Sequence, residues 1–88
     1  MATVDITVNN STWTEVVPAA GKGLWSNNTA DLYVRTGASA PSATINTGHP
    51  VDTGESVNVD LSTGSDAMYA RIRNGVVQET GTTSFTAA

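Results

Sequence analysis

The most constraining feature of the sequence is an Asn-Gly dipeptide, Asn74-Gly75, flanked by two short runs of alternating apolar residues. This pattern favours a β-hairpin, because a type I′ turn needs positive φ at both central residues and Asn-Gly supplies it at low steric cost. Along the incoming strand, residues 66–73, the alternation places Tyr69, Arg71 and Arg73 opposite the aliphatic side chains. The stretch therefore predicts a hairpin with an apolar inner face and an aromatic-cationic outer face.

The second strand of this hairpin contains one inconsistency. A two-residue turn at Asn74-Gly75 pairs Ala70 with Glu79, which puts a carboxylate on the apolar face. Either the partner strand ends by Gln78 or a β-bulge shifts the register.

The rest of the chain has the composition of a β protein. Thr, Ser, Asn, Gly and Val dominate, and no window has convincing helical periodicity. Eight or nine short strands are predicted, separated by turn signals. They lie at 3–8, 12–17, 23–26, 31–36, 43–46, 56–61 and 66–73; the others lie directly after the Asn74-Gly75 turn and at 82–85. With 88 residues, the chain predicts a single β domain over 1–88: an antiparallel β-sandwich or jelly-roll-like barrel of about eight strands.

The first ten residues allow two interpretations. Residues 1–10 form either an extended N-terminal arm or a first strand, since Val4, Ile6 and Val8 alternate with polar residues. The segment Ala2–Val8 could also add a strand to a neighbouring chain, because exposed strand edges are templates for pairing.

Charge and cysteine content exclude several function classes. The net charge of −4 argues against nucleic acid as a partner, and the lack of cysteine excludes disulfides and thiolate metal sites. No signal peptide and no membrane-spanning stretch is expected.

Residues that could support catalysis or bind a cofactor form no motif. His49 is the single histidine and is expected at a turn or on the surface, so a hydrolase built on it is the weakest interpretation. The carboxylates at 52, 55, 60 and 66 have no calcium-loop spacing, and residues 19–23 lack the ending of a phosphate-binding loop. The sequence therefore predicts no enzyme, no cofactor and no metal.

Two sets of residues are candidates for contacts with a partner. Tyr and Arg are enriched at protein interfaces, which makes the outward side chains of two strands candidate protein contacts: Tyr33, Arg35, Tyr69, Arg71 and Arg73. Alternatively, Trp13 and Trp25 could form an exposed platform for sugar rings, although both are also natural core residues in so small a domain.

Several stretches resemble small virion proteins of tailed bacteriophages. They are WTEV at 13–16, LWSNNTADLYVRTGASAPSA at 24–43, GHPVDTGESVNVDL at 48–61 and AMYARIRNGVV at 67–77. In that group these elements belong to compact β-sandwich domains that decorate capsids or form parts of head fibres and tails.

This resemblance implies a structural, non-enzymatic role in the virion. The expected function is that of a capsid decoration (cement) protein, made in the host cytoplasm and bound to the outer capsid surface, where it stabilises the joints between subunits. The implied partners are the major capsid protein and further copies of the chain, with a homotrimer favoured. The alternative is a glycan-binding or adhesion module of a phage fibre or surface protein.

Overall fold

The structure, a computed structural model, describes residues 3–88, and these residues form eight β-strands. Residues 1 and 2, which belong to the predicted N-terminal arm, lie outside the described residues, whereas residues 3–9 form the first strand. Among residues 3–88, no helix is long and apolar enough to cross a membrane. The strands are β1 (Thr3–Asn9), β2 (Thr14–Val17), β3 (Lys22–Asn27), β4 (Leu32–Gly37), β5 (His49–Val51), β6 (Ser56–Asp60), β7 (Ala67–Ile72) and β8 (Thr80–Ala87).

The strands form two antiparallel sheets of four strands each. Sheet A has the order β1-β8-β3-β6, and sheet B has the order β2-β7-β4-β5. The pairs β1·β8, β2·β7, β3·β6 and β4·β5 are nested, as in one long hairpin that has been folded over on itself. This arrangement is that of a jelly roll, and it confirms the predicted all-β sandwich of about eight strands.

The core lies between the two sheets. It consists of the inward-facing aliphatic residues of each strand together with Trp25, Leu32, Ile72 and Phe85. Strand β7 lies in the interior of sheet B, and all six of its residues are buried.

The predicted hairpin at Asn74-Gly75 is wrong. Strand β7 belongs to sheet B and β8 to sheet A, so residues 73–79 cross between the sheets. A turn does form there, with the Val76 N–H donating to the Arg73 carbonyl at 3.3 Å. Only Gly75 of the two central residues has positive φ, 86°, which fits a type II turn rather than type I′.

This crossing also resolves the inconsistency at Glu79. Ala70 pairs with Thr14 on one side and with Val34 on the other, so Glu79 never lies opposite it. Val77, expected on the second strand, is instead 95% exposed. Local turn chemistry identified the turn but not its role, because in this topology every connection except β4–β5 changes sheets.

One predicted strand is absent from the structure, and another strand forms where none is predicted. Residues 43–46 are not a strand, and β5 forms instead at His49–Val51, directly after Gly48. A tight turn forms at 52–55: Gly54 has φ 89°, and the Glu55 N–H donates to the Asp52 carbonyl at 3.1 Å.

Candidate interaction surface

Tyrosine and arginine side chains form an alternating pattern on the outer face of sheet B. Tyr33 of β4 lies opposite Arg71 of β7, and Arg35 lies opposite Tyr69. The sequence alternation therefore predicts correctly which face of the sheet carries these residues.

The exposure expected for this face is wrong for two of the five residues. Tyr69 and Arg71 are buried, with Arg71 only 5% exposed, because the chain itself covers them. The cover is the connection between β4 and β5, residues 38–48, which we call the strap, together with Trp13, which packs with Tyr69, Ala67 and Tyr33 in a second small cluster.

Arg71 binds the covering segments through their backbone. Its Nη1 donates to the carbonyl of Ala43 at 2.8 Å and to that of Ile45 at 3.0 Å. Its Nη2 donates to the Asn10 carbonyl at 2.6 Å, in the connection from β1 to β2. The guanidinium also lies over the Trp13 ring, 5.8 Å from the centroid. A buried cation is thus stabilised by the dipoles of carbonyl groups and by a π face rather than by an ion pair with a carboxylate.

Trp13 and Arg35 bind the same strap at two further points. The Trp13 indole N–H donates to the Ile45 carbonyl at 2.7 Å, and the Arg35 Nη2 donates to the Thr47 hydroxyl at 3.1 Å. Trp13 is positioned by the turn before it, where the Asn9 side-chain oxygen accepts the backbone N–H groups of residues 11 and 12.

Gly48 lets the strap return close to sheet B. A Cβ atom at this position would lie 2.7 Å from the Val34 carbonyl oxygen, closer than such contacts allow. The lack of a side chain is therefore what permits the backbone to enter β5 beside β4.

Arg73 joins β4 to the turn after β5. Its Nε donates to the Leu32 carbonyl at 3.0 Å, and its Nη2 forms an ion pair with Asp52 at 2.7 Å. Its guanidinium lies 5.7 Å from the centre of the Tyr33 ring. All three arginines therefore make contacts within the chain, and Tyr33, Arg35 and Arg73 remain partly exposed.

A carboxylate near this end has a shifted pKa. Asp31 accepts the backbone N–H of Thr53 at 2.9 Å and its hydroxyl at 3.0 Å. These two hydrogen bonds, with a smaller contribution from the charge of Arg73, hold the pKa of Asp31 below its ordinary value. The ionised carboxylate thereby fixes the 52–55 turn against the start of β4.

The strap lies against sheet B with its backbone hydrogen-bonded and its side chains unburied. None of its side chains is buried, whereas three of its carbonyl groups accept hydrogen bonds from sheet B or Trp13. The strap is therefore held mainly through its backbone, and apart from Thr47, whose hydroxyl accepts from Arg35, its side chains make no hydrogen bond to sheet B; Ile45 among them is 37% exposed. In the sequence, residues 37–48 are a long stretch of low hydrophobicity, a pattern that does not reveal this role.

The other candidate residues lie elsewhere. Trp25 is fully buried between the sheets and Trp13 is buried under the strap, so neither forms the exposed platform of the glycan-binding alternative. His49 is exposed at the start of β5, opposite Val34. Across the described part of the chain, no three His, Asp or Glu side chains are grouped so that they could hold a metal ion.

Comparison with known proteins gives no relative for this chain. No family model, no curated protein and no solved structure matches it.

Proposed function

We propose that the chain is a non-enzymatic structural protein of a virion, which decorates the outer surface of the capsid and stabilises the joints between its subunits. The partner is the major capsid protein, and the chain acts as a homo-oligomer, with three copies favoured. The resemblance to small phage virion proteins supports this proposal, as does the jelly-roll topology, which recurs in viral capsid domains. A shared fold does not by itself establish a function, which depends on a specific surface of the domain.

The observation that carries the proposal is the fixed strap. Arg35 and Arg71 of sheet B, together with Trp13 just before β2, donate hydrogen bonds to backbone carbonyls of residues 38–48. An ordered segment that keeps all its side chains out of the core loses little further entropy when it docks. Such a segment suits repeated binding at identical positions on a capsid, and we assign capsid contact to the strap.

A binding experiment with a matched pair of variants tests this assignment. Capsids that lack the protein are mixed with wild type, Ile45→Arg or Val77→Arg, and co-sedimentation and the thermal stability of the capsid are measured. Both substitutions replace an exposed aliphatic residue with the same cation, but only Ile45 lies on the strap. We expect wild type and Val77→Arg to bind and to stabilise the capsid, and Ile45→Arg to do neither.

The variants must first have the same melting temperature as wild type, so that a folding defect is not read as lost contact. Equal binding by both variants contradicts the role of the strap. A wild-type protein that binds no capsid contradicts the proposed function itself.

A further inference from the structure

The two edges of sheet B are protected against pairing with another strand. Strand β2 has only four residues, contains a register shift between Glu15 and Val17, and is followed by Pro18. Strand β5 has three residues, with Pro50 at its centre. Short strands, bulges and prolines are the usual means by which a sheet edge is closed to further strands.

The two edges of sheet A have none of these protections. Strand β1 pairs with β8 over seven consecutive residues, and β6 pairs with β3 over five, in both cases without a register shift. Neither strand contains proline or lysine. Both edges therefore present regular, unblocked strands to solvent.

A row of apolar side chains crosses sheet A, and the residues at its two ends, on the edge strands, are partly exposed. Val4, Phe85, Trp25 and Val57 lie opposite one another on the inner face of the four strands. The two central side chains are buried, but Val4 is 53% exposed and Val57 is 37% exposed. A further strand at either edge would extend this row and cover the exposed valine.

We propose that sheet A continues from one copy of the chain to the next, with β6 of one copy pairing with β1 of its neighbour. The strands of sheet A alternate in direction, so β1 and β6 run in opposite directions. Two copies placed side by side in the same orientation thus bring these edges together as an antiparallel pair. The inference rests on the homo-oligomer in the proposed function but not on the capsid.

In one register of this pair, compatible side chains lie opposite each other on both faces of the sheet. With Asp5 of one copy opposite Asn58 of the next, Ile6 lies opposite Val57 and Val4 opposite Val59. A shift of two residues in one direction sets Asp5 against Asp60, a pair of like charges. The opposite shift sets Ile6 against Glu55, which puts a carboxylate in the apolar row.

A two-fold pairing of β1 with β1 covers less of the exposed apolar surface. Centred on Ile6, it sets Val4 against Val8, which is already fully buried, and it leaves Val57 exposed. The head-to-tail contact covers both exposed valines. Such a contact repeats from copy to copy, so it closes into a ring or extends into a filament.

Paired cysteines test the register, because the chain has no cysteine of its own. Asp5 and Asn58 are both exposed and lie on opposite edges of a four-stranded sheet, so three strand spacings keep them more than about 14 Å apart within one copy. A disulfide needs Cα atoms closer than about 7 Å, so a bond between these positions must join two copies. The double variant Asp5→Cys/Asn58→Cys is oxidised mildly at high concentration without capsids and run on a non-reducing gel.

We expect covalent oligomers larger than dimers, which revert to monomers on reduction. Each single variant is the control, since one cysteine per copy can link no more than two copies. As a second readout, Val4→Lys places a charge at the end of the apolar row and should lower the solution mass of the wild-type oligomer. Leu24→Lys replaces a similarly exposed aliphatic residue on the outer face of the interior strand β3, away from both edges, and is its matched control.

Two results would overturn the inference. Covalent dimers from Asp5→Cys/Thr7→Cys, with only monomers from Asp5→Cys/Asn58→Cys, would show two-fold pairing of β1. A monomeric wild-type chain together with no cross-link from either double variant would show that sheet A does not pair at all. Neither result depends on capsid binding, so failure of this contact and failure of the proposed function can be distinguished.

Discussion

Tyr33 and Arg71 face each other across the interior strands of sheet B, and the guanidinium of Arg71 continues outward to bind the strap. In the next pair on the same face, the arginine is on β4 and the tyrosine on β7: Arg35 lies opposite Tyr69. Aromatic rings thus cover the sheet while the arginines extend past them to the strap. The pattern that suggests a contact surface in the sequence is, in the structure, the base on which another segment rests.

Arg71 should be the main fastening of the strap. Arg71→Met removes three hydrogen bonds to backbone carbonyls, and one hydrogen bond to a charged donor contributes about 1.5–3 kcal/mol. We expect the free energy of unfolding to fall by about 1.5–3 kcal/mol in total, which is less than the sum of three bonds, because water can hydrate the carbonyl groups of the released strap. Chemical denaturation gives this value, and limited proteolysis should now cut within 38–48.

Two substitutions serve as controls for that result. Lys22→Met removes the same charge from an exposed site away from the strap and should leave both readouts unchanged. Arg71→Lys keeps the charge but cannot offer a planar fork to three carbonyls, so it should behave more like Arg71→Met than like wild type. Wild-type resistance to proteolysis in Arg71→Met would contradict the role of the guanidinium.

Trp13 and Arg71 should be energetically coupled. Both donate to the Ile45 carbonyl, and the guanidinium lies over the indole ring. Either substitution alone, Trp13→Phe or Arg71→Met, disturbs the same group, so the double variant should lose less stability than the sum of the two. A double-mutant cycle should give a coupling of about 0.5–3 kcal/mol.

The control cycle pairs Arg71 with a distant tryptophan. Trp25 packs between the sheets, in a different cluster from the residues under the strap. Trp25→Phe and Arg71→Met should therefore be additive within about 0.3–0.5 kcal/mol. Equal coupling in both cycles would show that the strap and the core are not separate units.

Most strands could be predicted from the sequence, because alternation is a local property. Residues 31–36 and 56–61 were predicted within one residue of β4 and β6. The pairing of strands could not be predicted in this way, since all nested pairs except β4·β5 join segments far apart in the chain. At Asn74-Gly75 the local signal competed with the crossing between sheets, and the tertiary arrangement prevailed.

The candidate surface was predictable in orientation but not in exposure. Alternation placed Tyr69 and Arg71 on the outer face, yet it contains no information on whether a distant segment covers that face. A clue was present in the composition: few acidic residues lie in the strands beside the arginines, so the carbonyl groups of a long polar segment are the natural acceptors. Residues 38–48 are that segment.

The stability of the domain should depend on the charge of Asp31 at low pH. Its pKa is lowered in the folded state, chiefly by the Thr53 backbone N–H. The stabilisation is therefore complete above the unfolded-state pKa near 3.8 and is lost as the pH falls through the lower folded-state pKa. Asp31→Asn should be less stable than wild type at neutral pH, and the two should converge as the pH falls below both pKa values of Asp31.

Urea unfolding at a series of pH values checks this expectation. Thr53→Ala removes the hydroxyl bond but keeps the backbone bond, so its acid dependence should lie between wild type and Asp31→Asn. A constant difference between wild type and Asp31→Asn across the whole range would show that the loss comes from packing rather than from ionisation.

Gly48 and Gly64 offer a direct test of how closely the strap approaches sheet B. Neither glycine has positive φ, so alanine is compatible with the backbone at both positions. At Gly48 the added methyl group would lie 2.7 Å from the Val34 carbonyl oxygen, whereas at Gly64 it would meet nothing within 4 Å. Gly48→Ala should therefore destabilise the domain by about 1–3 kcal/mol, the usual cost of overpacking.

Gly64→Ala should be neutral or should stabilise the domain by about 0.4–1 kcal/mol, because alanine restricts the unfolded chain. Hydrogen exchange separates the local effect from the global one: in Gly48→Ala, protection should be lost first in β5 and the strap, where β4 and β5 are forced apart. If the two alanine variants are equally stable, the strap does not lie against β4 as described, and the docking geometry derived from it fails with it.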